Sequence, residues 1–161
     1  MTISIRPAVD ADADRIADVW EAGWRDAHLG RVPDALLQAR TTATFASRAR
    51  SNIPKTLVAL VDETVAGFVV VTADEVEQIY VDADHRGSGI APELLVAAER
   101  AIAAAGFPSA WLAVVAGNER ARRFYDRNGW TDEGEFIYRA TVEHGVIDVP
   151  CHRYTKRFDT R

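Results

Sequence analysis

The segment Arg86-Gly87-Ser88-Gly89-Ile90-Ala91 has the residue types that hold a phosphate group. It follows an apolar run ending at Tyr80-Val81, and an Ala-, Leu- and Glu-rich run typical of a helix begins at Gly89. A helix start presents free backbone N–H groups and a partial positive charge, and glycines let a phosphate approach the backbone. The guanidinium of Arg86 also suits phosphate geometry. The segment therefore predicts a pyrophosphate-binding turn, and the alternative is a glycine turn that only joins two elements.

Two other phosphate-binding motifs do not fit the same segment. A Rossmann fingerprint requires Gly-x-Gly-x-x-Gly, whereas this chain continues from Gly87-Ser88-Gly89 to Ile90-Ala91-Pro92. A nucleoside-triphosphate loop requires Gly-Lys-Ser/Thr, which is missing from the segment.

The elements around this turn predict a single mixed α/β (α+β) domain spanning residues 1–161. Helical spacing and capping residues predict four helices. The first covers 10–25 with Asp10 as its N-cap, and the second begins after Pro33, runs through Phe45 and ends at 52. The third covers 89–105, and the fourth covers 119–128 with Asn118 as its N-cap. Alternating or β-branched runs predict strands over 2–6, 57–61, 65–72, 76–81, 110–115, 130–139 and 149–158. The order β-α-α-β-β-β-α-β-α-β-β indicates a largely antiparallel sheet in the first half.

Composition restricts the class of partner. The formal net charge of −5 argues against nucleic acid as the main partner. No run is apolar and long enough to span a bilayer, and the first residues do not resemble a signal peptide, so we expect a cytoplasmic protein without a membrane partner. The histidines His28, His85, His144 and His152 lack the spacing of metal ligands, so we expect no metal.

Two motifs together resemble the GNAT superfamily of acyl-CoA-dependent N-acetyltransferases. Arg86 to Ala91 matches that family's Gln/Arg-x-x-Gly-x-Gly/Ala signature, and residues 118–130 are similar to its Asn-x-x-Ala-x-x-Phe-Tyr-x-x-x-Gly-Phe element, with Trp130 in place of Phe. The resemblance implies a mostly antiparallel, twisted sheet of about seven strands flanked by four helices. It also implies acetyl-CoA as acyl donor and a homodimer as one assembly.

The resemblance further implies where acetyl-CoA binds. The backbone of Ile79 and Val81 would pair with the pantetheine arm, and the amides of Arg86, Gly87, Ser88, Gly89, Ile90 and Ala91 would hold the pyrophosphate. Asn118 would contact the pantetheine or cap its helix, and Tyr125 would lie near the thioester sulfur. The strand of Ile79 would separate from the strand of 111–114 to admit the cofactor.

Glu75 and Glu77 are the candidate general bases. A lysine-like amine has a pKa near ~10.4, and only its neutral form attacks a thioester, so a base must supply much of roughly 4.6 kcal/mol at pH 7. Strand alternation places both glutamates on the face of Ile79 and Val81, and the sequence does not decide between them. The alternative for each is a solvated strand end.

Tyr125 is the candidate general acid, or hydrogen-bond donor, for the departing thiolate. Its alternative is a packing aromatic at a helix end. Cys151 could form an acyl-cysteine in a ping-pong mechanism, but a buried, unreactive thiol is expected, so direct transfer in a ternary complex is preferred.

The candidate acceptor contacts are Trp20, Trp24 and His28, which share one helical face, and Tyr138 from a late strand. A core stripe is the alternative for the first three. Among Arg120, Arg122 and Arg123, one is expected to reach the 3′-phosphate of CoA, unless all three form a solvated face.

Two functions remain open at this point. The first is acetyl transfer to a primary amine of a small molecule, peptide or protein. The second is a GNAT-fold module that binds acyl-CoA as a sensor without turnover. Glu75, Glu77 and Tyr125 favour the enzyme.

Overall fold

A seven-stranded sheet forms the centre of the fold in the computed structural model, which describes residues 2–159. The strands are β1 Ile3–Pro7, β2 Thr56–Val61, β3 Thr64–Thr72, β4 Glu75–Val81, β5 Ser109–Val115, β6 Thr131–Val142 and β7 Gly145–Arg157. The helices are α1 Ala13–His28, α2 Asp34–Ala39, α3 Thr42–Ser51, α4 Ile90–Ala104 and α5 Glu119–Arg127. The strand order is β1-β2-β3-β4-β5-β7-β6, and β4 with β5 is the parallel pair among antiparallel neighbours.

Each face of the sheet has its own apolar core. On one face α1 and α3 bury Trp20 and Phe45 against Phe68 of β3. On the other face α4 buries Leu94 and Ile102 against β2, β3 and β5, together with aromatic residues of α5 and β7. No helix among residues 2–159 is long and apolar enough to cross a membrane. The strand order and pairings confirm the mixed, mostly antiparallel sheet that was expected from the sequence.

The second predicted helix is two helices, so five α-helices rather than four flank the sheet. Arg40 leaves the helical conformation at φ −94° and ψ 80°, and Thr41 is extended. The Thr41 side chain then accepts a hydrogen bond from the amide of Thr44 and begins α3. A local N-cap therefore outcompetes continuation of the apolar helical pattern through this point.

Two other predicted boundaries differ. Asp10 lies in a short 3-10 turn, and Asp12 instead accepts the Val9 amide at 2.9 Å just before α1 begins. The hairpin of β6 and β7 extends to Val142 and Gly145, beyond the predicted strand ends. Arg139-Ala140-Thr141-Val142 continues the alternation of β6, with Ala140 buried and Val142 partly buried, so the predicted strand end was placed too early.

A β-bulge in β4 changes which side chains share a face. Val70 pairs with Gln78 but Val71 pairs with Val76, so Glu77 is the extra residue. Val76, and not Glu77, consequently joins Ile79 and Val81 on the α4 side. The predicted common face of Glu75, Glu77, Ile79 and Val81 is thus wrong, because simple alternation does not continue through a bulge.

The parallel strands β4 and β5 meet at one end only. Glu75 pairs with Trp111, and the Trp111 amide donates to the Asp74 carbonyl at 3.0 Å. Among the described residues no further pairing joins the two strands, so they diverge along β4 towards Val81. The sheet therefore opens in its middle, in front of the segment that begins at Arg86.

Candidate functional site

The opening between β4 and β5 leads into a cavity of about 700 Å³, here called the central cavity. Its walls come from β4, β5, β6 and β7 on the sheet side and from α1, α2, α3 and α5 on the helical side. Both charged and apolar side chains line it. They include Trp24, His28, Arg40, Arg48, Glu75, Glu77, Asn118, Tyr125, Tyr138 and Cys151.

A second space of about 470 Å³, the loop groove, runs from the same opening to the glycine segment. Its lining includes Val81, Arg86, Gly87, Gly89, Ile90, Ala91 and Arg120. Ile79, Asn118 and Tyr125 line both spaces. The two spaces are therefore neighbouring parts of one passage.

The glycine segment has the conformation of an anion-binding turn. Gly87 and Gly89 have φ values of 80° and 87°, which side chains with a Cβ rarely adopt. Gly89 caps α4, and the hydrogen bonds of the described residues include none donated by the backbone amides of Gly87, Ser88 or Gly89. The Ser88 hydroxyl donates to the carbonyl of His85 and fixes the turn. Backbone donors and a helix start thus remain available to a ligand in the groove.

Arg86 is held beside this turn by an ion pair with Asp26 of α1, whose oxygen lies 2.8 Å from the guanidinium. This pair holds the pKa of Asp26 below its usual value. Because both side chains remain partly exposed, the guanidinium can exchange its partner for an anionic ligand.

Asn118 and Tyr125 mark the junction of the two spaces. The Asn118 side chain accepts the Ala121 amide at 3.3 Å and caps α5. Tyr125 is 7% exposed and packs against Trp130 and Tyr154. Burial raises the pKa of Tyr125, which keeps the phenol protonated at neutral pH. Because Tyr125 lines both spaces, its side chain lies beside any ligand that extends from the loop groove into the central cavity.

Glu75 lies at the hinge where β4 and β5 meet. Its carboxylate accepts a hydrogen bond from the Tyr138 hydroxyl at 3.1 Å. Burial raises the pKa of Glu75 to about 7, a shift that the Tyr138 hydrogen bond and Arg153 oppose and that Glu77 and Asp74 reinforce. The residue is therefore divided between protonated and charged forms near neutral pH, as a general base requires.

Glu77 occupies the bulge and accepts a hydrogen bond from the Thr72 hydroxyl at 2.6 Å. Both glutamates line the central cavity, so the structure brings together the two carboxylates, Tyr138 and Tyr125. Tyr138 belongs to a strand distant in sequence and is linked directly to Glu75.

The stripe of Trp20, Trp24 and His28 divides between core and cavity. Trp20 is fully buried and does not line the cavity, because α3 covers it. Trp24 and His28 do line it, and their rings stack at 4.6 Å. Burial lowers the pKa of His28 to about 4, so it is neutral, and its Nδ1 donates to the Trp24 carbonyl at 2.8 Å.

The three arginines of α5 differ in surroundings. Arg120 lines the loop groove. Arg122 is engaged with the Tyr154 hydroxyl and Asp132, and Arg123 faces solvent beside Glu119. Of the three, Arg120 has the position expected for a contact with a phosphate group.

Cys151 lies on β7 and also lines the central cavity. It is 4% exposed, and burial raises the pKa of its thiol to about 11. The thiol is therefore a poor nucleophile at neutral pH, because little thiolate is present. Residues 2–159 contain no group of acidic, histidine or cysteine side chains arranged to hold a metal ion.

Arg40 and Arg48 were not among the residues predicted from the sequence, yet both line the central cavity. Arg48 lies three residues after Phe45 and one before Ala49, two buried positions of α3, so its helical spacing carries a signal. Arg40 directly follows α2, and no pattern in the sequence indicates that its side chain faces the cavity.

Comparison with known proteins agrees with this arrangement. Residues 15–130 match the model of the Acetyltransferase (GNAT) family. No curated protein matches the chain. Solved structures with the same fold include PaiA N-acetyltransferase from Thermoplasma acidophilum in complex with coenzyme A, at 20% identity and a TM-score of 0.77 over 98% of this chain and 100% of that one.

Two further structures are similar over nearly their whole length. A GCN5-related N-acetyltransferase from Rhodopseudomonas palustris has 20% identity and a TM-score of 0.76, covering 98% of this chain and 97% of its own. YncA, a putative acetyltransferase from Salmonella typhimurium with acetyl-CoA, has 17% identity and a TM-score of 0.72, covering 100% and 96%. With the family model matched across the diverging strands, the glycine turn and α5, the chain belongs to the acetyltransferase (GNAT) family.

Proposed function

We propose that this protein transfers an acetyl group from acetyl-CoA to a primary amine by direct attack within a ternary complex. The observation that carries the proposal is the single passage between β4 and β5. It joins a turn suited to pyrophosphate with a half-buried carboxyl group whose pKa is about 7. Donor and acceptor can then meet beside Tyr125, which lines both parts.

The loop groove supports acetyl-CoA as donor. Beyond Glu75, the edge of β4 that faces β5 lacks a strand partner in the described chain, so the backbone of Ile79 and Val81 is free to pair with a pantetheine amide. The amides from Gly87 to Ala91 would then hold the pyrophosphate at the start of α4. Two similar proteins were solved with coenzyme A or acetyl-CoA.

Glu75 is the proposed base. Proton transfer from an amine of pKa ~10.4 to a carboxylate of pKa 4.5 is uphill by about 8 kcal/mol. With the pKa of Glu75 at about 7, the difference falls to about 4.6 kcal/mol. Burial of Glu75 therefore removes close to half of the free-energy cost of transferring the proton from the amine to the carboxylate, which favours formation of a neutral amine within the site. Glu77 reinforces the effect through its negative charge.

Tyr125 is proposed to donate a hydrogen bond to the departing thiolate. An ordinary tyrosine pKa of ~10 already exceeds that of a thiol, ~8.5, so complete proton transfer to the thiolate is uphill. Burial raises the tyrosine pKa further. The hydrogen bond alone stabilises the developing negative charge, and the thiolate is protonated after release.

The raised pKa of the Cys151 thiol supports direct transfer over an acyl-cysteine intermediate. A burst of CoA release in the absence of any amine would indicate the intermediate instead. Direct transfer requires both substrates to be bound at once, which produces intersecting initial-velocity plots.

The test combines binding with turnover. Calorimetry measures acetyl-CoA binding, and a thiol assay follows CoA release across alkylamines, diamines, amino acids and a lysine peptide, with mass spectrometry of the product. We expect amine-dependent release and an N-acetylated product, both strongly reduced in Glu75→Gln. Tight binding of acetyl-CoA without release for any amine would favour the sensor function and contradict the proposal.

A further inference from the structure

The central cavity contains two arginine side chains that form no ion pair with a carboxylate of residues 2–159. Arg40 is 7% exposed, and its guanidinium donates to the Thr141 carbonyl at 2.8 Å. Arg48 places its guanidinium carbon 4.4 Å from the centroid of the Trp20 ring. Neither arginine forms an ion pair with any acidic side chain among residues 2–159.

Arg48 also has an unused hydrogen-bond donor. Its Nη1 is enclosed and has no partner in the described part of the chain. An unpaired buried charge and an unsatisfied N–H group are both costly, so such groups normally meet an anion or other acceptor. Nη1 itself is enclosed, but Arg48 lines the central cavity, so a ligand there can approach the other N–H groups of its guanidinium.

Both arginines line the central cavity, and the charge of Arg40 acts on Arg48. Burial, followed by the positive charge of Arg40, lowers the pKa of Arg48 to about 10, which still leaves the group charged at neutral pH. His28 borders the same region as a neutral ring, so it does not add to the charge. Two like charges held together in this way attract a negative group more strongly than either alone.

Several other arginines of the chain, unlike Arg40 and Arg48, are paired with carboxylates. Arg15 pairs with Asp82, Arg25 with Glu21, and Arg122 with Asp132. Those side chains are engaged in structural ion pairs, whereas the cavity pair is left for a ligand. Guanidinium groups bind carboxylates through two parallel hydrogen bonds, a geometry that suits a planar anion.

The opposite charge is present elsewhere in the same cavity. Glu75 and Glu77 come from β4, whereas the arginines come from the end of α2 and from α3. A ligand that satisfies both regions carries an amine at one end and a negative group at the other.

We infer that the acceptor is an amino acid or a close analogue, whose amine lies at Glu75 and whose carboxylate binds Arg40 and Arg48. The inference rests on the proposed function and specifies its substrate class. The cavity, at about 700 Å³ including the space for the acetyl end of the donor, is of the size that suits a small molecule.

The test compares amino acids with the amines that lack their carboxylate. The pairs are glycine and methylamine, β-alanine and ethylamine, 4-aminobutyrate and propylamine, 6-aminohexanoate and pentylamine, leucine and isoamylamine, and phenylalanine and phenethylamine. For at least one pair we expect the acid to have a kcat/KM ~10- to 100-fold higher, since each charge-assisted hydrogen bond contributes about that factor. Equal or lower values for every acid would overturn the inference while leaving amine acetylation intact.

Variants of the arginines give an independent test. For the preferred acid, Arg48→Met should raise KM ~10- to 100-fold, a larger change than the same variant causes for the matched amine. Arg50→Met is the control, because Arg50 lies on the same helix but is exposed. Arg40→Lys retains the charge and should weaken binding less than Arg48→Met. Equal losses for acid and amine in Arg48→Met would contradict a carboxylate contact.

Binding measured without turnover separates this inference from the proposed function. Calorimetry with the CoA-bound protein records the affinity of each acid and each amine. Carboxylate-dependent binding that requires Arg48, with no acetylated product, would reject the enzyme function but support the anion site. Binding that does not distinguish acids from amines, together with no preference in turnover, would overturn the inference.

Discussion

The pKa of Glu75 provides the sharpest prediction, because it governs both activity and stability. In the free enzyme only the charged carboxylate accepts a proton from the amine. We therefore expect log kcat/KM to rise with slope one below about pH 7 and to level off above it. Glu75→Gln should remove this limb and lower kcat/KM by ~10²- to 10⁴-fold. The amine's own ionisation, near pH ~10, gives a separate limb.

The matched control is Glu77→Gln, which removes the neighbouring negative charge. Because the charge of Glu77 raises the pKa of Glu75, this variant should shift the limb to lower pH without abolishing it. Tyr138→Phe removes the hydrogen bond that lowers the pKa of Glu75, so its limb should move to higher pH. Loss of the limb in Glu77→Gln but not in Glu75→Gln would refute the assignment of the base.

The same shift predicts a stability change that does not depend on any substrate. The folded state holds the Glu75 proton to about pH 7, whereas the unfolded chain releases it near pH 4.5. The folded state therefore binds more protons between these values, and this group makes stability fall as pH rises through that window. The full shift corresponds to about 3.4 kcal/mol, and partial exposure of the carboxyl reduces it to about 1–2 kcal/mol.

Glu75→Gln removes this penalty. Its free energy of unfolding, measured by urea denaturation, should exceed that of the wild type by about 1–2 kcal/mol at pH 8. At pH 4 the two proteins should differ by much less, since the wild-type carboxyl is then neutral in the folded state. A difference that is the same at both pH values would show that burial does not raise the pKa of Glu75.

Three further predictions concern the passage and its walls. Tyr125→Phe should lower kcat by ~5- to 20-fold with little change in KM for acetyl-CoA, because it loses one hydrogen bond to the developing thiolate; unchanged kcat in steady-state assays would remove Tyr125 from the mechanism. Arg86→Gln should raise the calorimetric Kd for acetyl-CoA by ~10-fold, whereas Asp26→Asn, which frees Arg86 from its ion pair, should leave that Kd equal or lower; equal weakening by both variants would indicate a purely structural role for the pair. Gly23→Ala places a Cβ 2.5 Å from the Tyr80 ring, so it should destabilise the fold by about 1–3 kcal/mol in urea denaturation; wild-type stability would mean that α1 shifts freely over the sheet.

The sequence predicted the elements whose signals are local. A composition rich in Ala, Leu and Glu identified α4, and Asn118 was recognised as the cap of α5. The short connection over 62–64, between the strands predicted at 57–61 and 65–72, is a tight hairpin turn in which Asp62 and Glu63 have positive φ values of 49° and 67°. Each of these features depends on residues a few positions apart.

The features that were missed depend on register and depth. The bulge at Glu77 reverses the face of Glu75, and only the pairing of β4 with β3 determines it. Helical spacing placed Trp20 on the same face of α1 as Trp24. It does not indicate that α3 covers this face at Trp20 and buries that side chain away from the cavity. Arg40 reaches the cavity through a hydrogen bond to Thr141, about a hundred residues away in sequence, so no local pattern indicates it.

A separation of charge within the central cavity would allow the proposed base and the proposed anion site to coexist there. A guanidinium adjacent to Glu75 would lower its pKa and weaken it as a base. Arg153, on β7, is the basic residue whose charge lowers the pKa of Glu75. The negative charge of Glu77 acts on both regions, because it raises the pKa of Glu75 and that of Arg48. From the bulge, Glu77 thus helps Glu75 to hold its proton and Arg48 to keep its charge.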